Sequence, residues 1–398
     1  MKIRNLATCL ISMCFLLIST SQANAQANAE KEKAWIYPTF STIQEYDSNV
    51  FLDSENPNDD WVTTVVPGIA LEPKLVDHKL KINYKAKYEF FGKYHKQNNV
   101  SHIGQLDSTL NFTNWKMDLN DFYIKSSDRS GAEITSRIPR TMNNADLKLT
   151  HFFNKMDLGI KYVNRFETYH SDDAIGSYQG KSLTYRDLKT DDHSGELEFA
   201  LKLWPKTSLL VSERIGSLNY LTGNKSDSRY YDTLVGLKGA LTGKSIAEFK
   251  IGYRHQNYED YGEDYKGLIA LGTILESFND RNTLQFSFQR ETNPTNYTDN
   301  AYYLSTFLFT EYVHGFTKRF RGKTNVSYQL NEYPTATAEE GKNINRADQL
   351  WILGAGLSYE LVKWGTVNLD YTYGAKTSNF DAYDYQDNRI RLGFVLDF

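Results

Sequence analysis

The stretch LKINYKAKYEF, residues 80–90, alternates apolar and polar side chains without a break. Successive side chains of an extended strand point to opposite faces, so this alternation produces one apolar face and one charged face. The apolar face carries Leu80, Ile82, Tyr84, Ala86, Tyr88 and Phe90, and the charged face carries Lys81, Asn83, Lys85, Lys87 and Glu89. The segment predicts a β-strand that lies between an apolar environment and water.

The same period of two recurs along the chain, for example in GELEFALKL (195–203) and TVNLDYTY (366–373). Tight turns alternate with long polar connections such as residues 47–60. The pattern indicates about eighteen strands, each long enough to cross a bilayer when tilted. We therefore predict an all-β fold, a single transmembrane antiparallel β-barrel over residues 35–398, with short periplasmic turns and long extracellular loops.

Individual strands are predicted from the limits of each alternating run. They fall near residues 35–46, 61–74, 79–92, 102–114, 116–126, 145–154, 155–168, 192–204, 206–219, 228–241, 245–257, 265–277, 281–292, 301–313, 317–330, 349–361, 365–376 and 388–398. No obvious linker divides this series of strands into separate domains.

The first 25 residues have the layout of a cleaved signal peptide, with Lys2 and Arg4 before an apolar stretch and Ala23-Asn24-Ala25 at its end. Cleavage could also fall as late as residue 29, and residues 26–34 would form a short periplasmic segment. A transmembrane anchor is the alternative, but the apolar run is too short to span about 30 Å as a helix. The expected location is the outer membrane of a Gram-negative bacterium.

Composition leaves two classes of exported β protein open. The chain has 28 Tyr, 22 Phe and 8 Pro, and a soluble sandwich could share this composition. A sandwich, however, gives no reason for tight and long connections to alternate. Aromatic girdles are predicted at both membrane interfaces: Trp115, Trp204 and Trp364 at tight turns, and Tyr94, Tyr169, Tyr220, Tyr258 and Tyr333 at the long loops.

The chain ends in RLGFVLDF, residues 391–398. The positions of Gly393, Leu396 and Phe398 resemble the C-terminal signal by which outer-membrane barrels are recognised for insertion. The resemblance implies the barrel-assembly machinery as a partner.

Enzymatic motifs are scarce. The segment ALTGKS has Lys238 where a phosphate-binding loop needs its first glycine. The chain has no His-Glu-x-x-His and no Gly-x-Ser-x-Gly, and its acidic loops, including Asp53 and Glu55, do not match a calcium loop. We predict no enzyme, no cofactor and no metal, although a Ser–His pair assembled in space stays an alternative. The net charge of -4 gives no indication of nucleic-acid binding.

Charged side chains are predicted to line a water-filled lumen. The candidates along the solute path are Lys81, Lys85, Lys87, Glu89, Lys161, Arg165, Lys202, Lys250, Arg254, Arg321, Lys323, Arg389 and Arg391. The bases outnumber the acids there, which would favour anionic solutes or acidic glycans. The alternative is that these charges pair with one another and fill the lumen.

The end of the first strand reads EYDSNVF, residues 45–51. Tyr46, Asp47, Asn49 and Phe51 resemble a stretch near the start of the β-barrel porins found with exopolysaccharide export systems, although Ser48 stands where an acid is common. The resemblance implies an outer-membrane conduit for an extracellular polysaccharide, working with a periplasmic polysaccharide export protein and without catalytic residues.

Two other functions remain open on the same barrel pattern. One is a general or solute-selective diffusion porin, and the other is a structural barrel with a plugged lumen. In either case, outer-membrane lipid and lipopolysaccharide would surround the protein.

Overall fold

The computed structural model describes residues 35–129, 131, 133–178, 181–240, 242–259, 264–296 and 300–397. Eighteen strands form one closed antiparallel barrel, which confirms the predicted fold class. The predicted signal peptide, the segment 26–34 and Phe398 lie outside the described residues, so the first two stay predictions.

The barrel strands follow the chain order around the ring. They are β1 Ile36–Asp47, β2 Asp60–Leu71, β3 Lys79–Phe91, β4 Asn99–Asn111, β5 Trp115–Ser126, β6 Arg140–Phe152, β7 Met156–Tyr169, β10 Thr190–Trp204, β11 Thr207–Tyr220, β12 Ser228–Ala240, β13 Ser245–Tyr258, β14 Tyr265–Asn279, β15 Asn282–Pro294, β16 Tyr302–Gly315, β17 Phe320–Glu339, β18 Lys342–Val362, β19 Gly365–Ser378 and β20 Tyr385–Asp397.

The remaining elements lie in the long loops. β8 Ala174–Tyr178 pairs with β9 Lys181–Thr184, and the 3₁₀ helices are His95–Gln97, Tyr185–Leu188 and Asp381–Tyr383. Among the described residues, no helix has the length and hydropathy to cross a bilayer.

The barrel closes where the first strand meets the last. β1 and β20 pair antiparallel from Thr39 opposite Asp397 to Asp47 opposite Arg389, and we call this pairing the seam. Hydrocarbon offers no partner for a free N–H or C=O, so a sheet that crosses a membrane must close on itself. By the orientation usual for outer-membrane barrels, the short turns face the periplasm and the long loops face outside.

The two faces of the wall follow the alternation of the sequence. On β3, Ile82, Tyr84 and Phe90 are exposed on the outer surface, whereas Glu89 and Phe91 are buried inside. Trp115, Trp204 and Trp364 are exposed beside short turns, as predicted for the periplasmic girdle. The outer surface is therefore an apolar belt of the kind that contacts lipid.

The predicted girdle at the other interface is wrong for four tyrosines. Tyr169, Tyr220, Tyr258 and Tyr333 are each less than 10% exposed, because they occupy inner-face positions over which the long loops fold. Tyr94 packs against the cluster of Val50, Val62 and Phe91. Large aromatics exposed toward lipid in this half of the barrel include Trp61, Phe90, Tyr231, Tyr253, Trp351 and Tyr371.

The hairpin of β17 and β18 is longer than predicted. Its ladder resumes beyond an irregularity between Glu332 and Ala336 and continues to Glu339 opposite Lys342. The residues between were predicted to be a loop because they are polar. Polar residues form a strand here since the hairpin extends past the apolar belt, where both faces meet water.

A matched pair of substitutions on β19 tests the assignment of the two faces. Leu369 is exposed on the outer surface, and Asn368 precedes it on the inner face. We expect Leu369→Arg to lower the free energy of unfolding by roughly 2–4 kcal/mol because the charge would face hydrocarbon. Asn368→Arg should cost much less.

The measurement is urea unfolding of the folded barrel in lipid vesicles, followed by tryptophan fluorescence. Equal losses of stability for both variants would contradict the assignment of the two faces.

Candidate functional site: a charged lumen with a loop hub

The inner wall is lined by charged side chains that form ion pairs with charged side chains of other strands. Lys250 Nζ lies 2.8 Å from a carboxylate oxygen of Glu196 and also contacts Glu198. Lys148 Nζ reaches the other oxygen of Glu198 at 2.7 Å. Two lysines from β6 and β13 are thus neutralised by acids of β10, the strand that lies between them in chain order.

A second group surrounds Asp232 on β12. Arg254 Nε lies 2.8 Å from Asp232 Oδ1, and Arg214 Nε lies 2.6 Å from Asp232 Oδ2. Glu291 lies 3.4 Å and 3.5 Å from the two guanidinium groups. The guanidinium of Arg254 also stacks 4.5 Å from the ring centre of Tyr230. The group is buried, and every charge in it has an opposite charge nearby, as a low-dielectric site requires.

Most other predicted lumen bases are paired in the same way. Within 4.0 Å lie Lys202 and Asp157, Lys323 and Asp370, Arg165 and Asp192, Arg389 and Asp387, and Arg391 and Glu45. Glycine makes room for one of these pairs: a Cβ on Gly356 would lie 2.3 Å from Asp370 Oδ1 and 2.6 Å from Lys323 Cε. Most of the predicted lumen bases thus pair with other wall charges, as the alternative interpretation expected. Their contact with solute stays a prediction.

Two predicted lysines differ from the rest. Lys81 and Lys85 lie on the inner face of β3, and in the part of the chain that the structure describes neither has an acid within 4.0 Å. The stem of Lys85 passes over Gly68, where a Cβ would lie 3.0 Å from Lys85 Cγ. Neither ammonium group is therefore held in a close ion pair, and the acid opposite Lys81 in register is Asp107 on β4.

Lys161 and Arg321 also lie on the inner face. Lys161 pairs in register with Glu196, and Arg321 pairs in register with Ser358. Both remain candidates for contact with solute.

The β5–β6 loop, residues 127–139, folds into the barrel, and ion pairs hold it against β3. Lys87 Nζ lies 2.7 Å from Asp128, and the Arg137 guanidinium lies 3.5 Å from Glu89 and stacks 4.7 Å from the Phe91 ring centre. Burial alone would raise the pKa of Asp128, but Lys87 and Arg137 hold it well below its usual range. Lys87 and Glu89 thus fasten this loop.

Glu133 lies farther along the same loop and joins it to distant parts of the mouth. Its carboxylate accepts hydrogen bonds from the Thr295 hydroxyl at 2.7 Å, the Asn296 backbone N–H at 2.8 Å and the Tyr333 hydroxyl at 2.8 Å. Lys225 donates to the backbone carbonyl of Thr295. We call these five residues the loop hub.

The hub draws on connections from around the ring. Glu133 belongs to the β5–β6 loop, Lys225 to the β11–β12 loop, Thr295 and Asn296 to the β15–β16 loop, and Tyr333 to β17. Next to Glu133, Ile134 packs against Tyr169 and Leu188. These contacts bring loops from widely separated strands together over the extracellular mouth.

Burial along the inner face changes from one end of the barrel to the other. The side chains of Asp232 and Asp348, toward the long loops, are 0% and 1% exposed. Those of Lys202, Lys238 and Asp370, toward the short turns, are 36%, 26% and 25% exposed. These side chains near the long loops are thus more deeply buried than these three near the short turns.

The EYDSNVF stretch builds the turn that follows β1. Asp47 Oδ1 accepts from the Asn49 backbone N–H at 2.9 Å, and Asn49 Nδ2 donates to the carbonyl of Gln386 across the seam at 3.0 Å. Arg129 of the β5–β6 loop donates to the Asn49 and Val50 carbonyls. The motif thus ties the seam to the inward loop.

The aromatic residues of the motif pack beside this turn. Tyr46 packs on Trp61 at 5.3 Å and Phe51 on Tyr94 at 4.8 Å between ring centres. At the other end of the chain, Gly393 and Leu396 lie on β20 opposite Ile43 and Phe40.

The acidic loop after β1 forms a turn of its own. Asp53 accepts hydrogen bonds from the backbone N–H groups of Glu55 and Asn56 at 2.9 Å and 2.8 Å. Within the described ranges, no group of three or more His, Cys, Asp or Glu side chains could hold a metal ion.

Titration of Glu133 should change the loop hub. Burial raises the pKa of Glu133, although its three donors and Lys225 oppose this rise. Burial lowers the pKa of Lys225 to about 8. Because a raised carboxyl pKa means that the packed hub favours the neutral form, ionisation with rising pH should weaken the hub.

We expect single-channel conductance in planar bilayers to increase as the pH rises through the raised pKa of Glu133. The titration is carried out below about pH 8, where Lys225 stays charged. Lys225 and Lys376 are the charged groups that face Glu133. Glu133→Gln is uncharged at every pH, so its channel should stay in the low-conductance state. An unchanged pH step in this variant would show that another group controls it.

Residues 35–398 match a family model described as "Putative beta-barrel porin 2". No curated protein matches the chain.

Solved structures with a similar fold include three proteins of low sequence identity. OccAB3 of Acinetobacter baumannii is 9% identical, with 91% of this chain and 99% of that chain covered and a TM-score of 0.46. OccK2 of Pseudomonas aeruginosa, in complex with glucuronate, is 9% identical, with 91% and 98% covered and a TM-score of 0.48. OccK3 of Pseudomonas aeruginosa is 14% identical, with 91% and 96% covered and a TM-score of 0.46.

Proposed function

The chain belongs to the β-barrel porin 2 family, and on that premise we propose that it is a solute-selective diffusion channel of the outer membrane that prefers anions. A porin-like barrel in that membrane offers a water-lined route and needs no catalytic step. The proposal is supported by a closed wall with a charged interior and by a mouth that the loop hub narrows. Insertion by the barrel-assembly machinery and contact with lipopolysaccharide belong to the same proposal.

The observation that carries the anion preference is the pair of free lysines on β3. Most other wall bases have a carboxylate within 4.0 Å, so a passing anion gains little from them. Lys81 and Lys85 have no such partner in the described residues, and they lie toward the periplasmic end of the lumen. Unpaired cations on a low-dielectric wall raise the local concentration of anions.

Neutralising the two free lysines should change ion selectivity. We expect Lys81→Gln with Lys85→Gln to shift the reversal potential in a salt gradient toward cations and to reduce the flux of small carboxylates several-fold. The physical reason is the loss of fixed positive charge along the solute path. Lys87 is left intact because it fastens the β5–β6 loop through Asp128.

Lys93→Gln with Lys96→Gln is the matched control, since it removes two charges from the β3–β4 connection outside the lumen. The control should leave selectivity unchanged. If selectivity stays the same in both variants, the free lysines do not contact the permeating ions.

A second candidate is a conduit for an extracellular polysaccharide, working with a periplasmic polysaccharide export protein. Its support is the resemblance carried by Tyr46, Asp47, Asn49 and Phe51. Such a polymer would pass the paired wall charges by exchanging hydrogen bonds, and it would have to displace the loop hub. The contacts that these residues make at the seam explain why they suit a barrel. These contacts do not identify a cargo.

Deletion of the gene separates the two candidates. A conduit predicts that extracellular polysaccharide falls while periplasmic polysaccharide rises or synthesis stalls, and that the cloned gene restores export. A diffusion channel predicts unchanged polysaccharide and slower uptake of small anions. Extracellular and periplasmic polysaccharide are measured separately in the same cultures.

A further inference from the structure

Exposed basic side chains occupy nearly all the short turns. They are Lys74, Lys155, Lys206, Lys244, Arg281, Lys318, Arg319 and Lys363. Each of these side chains is exposed, and among the described residues none has an acid within 4.0 Å. We call this set the turn ring, because the turns that carry it follow one another around the periplasmic rim.

The long-loop end has the opposite character. Its exposed bases are mostly paired: Lys93 lies 2.7 Å from Asp59, Arg186 lies 2.9 Å from Asp172, and Lys342 lies 3.4 Å from Glu340. Further exposed acids there are Asp53, Glu55, Asp173, Glu259 and Asp381. Exposed bases without a nearby acid are thus concentrated on the periplasmic rim, where the exposed acids of the described turns are Asp77 and Asp280.

Exposed aromatic rings accompany the turn ring along the chain. Trp204 lies two residues before Lys206, Trp364 directly follows Lys363, and Phe153 lies two residues before Lys155. All three rings are exposed on the barrel surface. Aromatic rings of this kind lie at the headgroup level of a membrane, so the neighbouring ammonium groups come to the level of the phosphates.

A surface groove lies at another turn of the ring. It has a volume of about 700 Å³ and is lined by Thr317, Lys318, Arg319, Phe320 and Tyr359. The groove combines two cations with two aromatic rings at the edge of the apolar belt. This is the combination that a lipid with an anionic headgroup would contact.

We propose that the turn ring binds the phosphate groups of anionic phospholipids in the periplasmic leaflet of the outer membrane. The aromatic neighbours argue for lipid over a soluble acidic protein, because their rings face the apolar surroundings of the barrel. A basic side chain near an anionic lipid surface contributes about a fivefold factor to binding. Several such side chains along one rim give a strong preference for anionic over zwitterionic lipid.

The test uses the full chain, folded in detergent and titrated with phosphatidylglycerol or phosphatidylcholine at fixed ionic strength. Bound lipids are counted by native mass spectrometry. The wild type should retain phosphatidylglycerol in preference to phosphatidylcholine, and high salt should weaken that preference. In a variant with Lys155→Gln, Lys206→Gln, Arg281→Gln and Lys363→Gln, the preference should fall by about tenfold or more.

The matched control removes four exposed bases from the long-loop end, with Lys96→Gln, Arg186→Gln, Arg229→Gln and Lys266→Gln. Its lipid preference should stay within about twofold of the wild type. A turn-ring variant that keeps the wild-type preference, or a control that loses as much, would overturn the proposal. Equal competition by inorganic phosphate or by a soluble acidic glycan would also overturn it, since the ring would then be a general anion surface.

Folding of each variant is checked by its heat-modifiable migration on a gel. If the fourfold variant does not fold, Lys206→Gln with Lys363→Gln repeats the measurement with a smaller expected loss. An unchanged preference in that double variant would likewise overturn the proposal.

Discussion

The architecture depends on one constraint, which is that no backbone N–H or C=O may face hydrocarbon without a partner. The seam between β1 and β20 meets that constraint by joining the first strand to the last. Once the ring is closed, alternation along each strand sends one set of side chains to lipid and the other into the lumen. The charged interior is therefore a consequence of the same closure, because the inner set no longer has to be apolar.

The sequence predicts most of this wall, since strand alternation is a local property. The bounds of β13 differ by one residue from those predicted, and the free lysines of β3 were placed on the correct face. The loop hub was not predictable in the same way. Glu133 meets Thr295, which lies 162 residues away in the chain, and no local pattern marks either residue as a partner of the other.

Pairing among the wall charges was also beyond local analysis. Arg254 is neutralised by Asp232 on the preceding strand, β12, and Arg391 is neutralised by Glu45 on the far side of the seam. Counting the inward bases and acids on the predicted strands therefore overestimates the free positive charge of the lumen. The geometry restricts the free positive charge to a few positions, so the proposed selectivity of the lumen depends on specific side chains.

The position of the seam bears on how freely the chain order could be changed. β1 begins and β20 ends at the short-turn rim, where Thr39 lies opposite Asp397, so a short linker could join these two strands. New ends could then be opened at another short turn, such as the one between Trp204 and Thr207. The folded ring would keep every strand pairing in such a circular permutant. What would change is the order in which strands reach the membrane and the strand that carries the predicted terminal insertion signal. The permutant would therefore separate the stability of the barrel from its biogenesis.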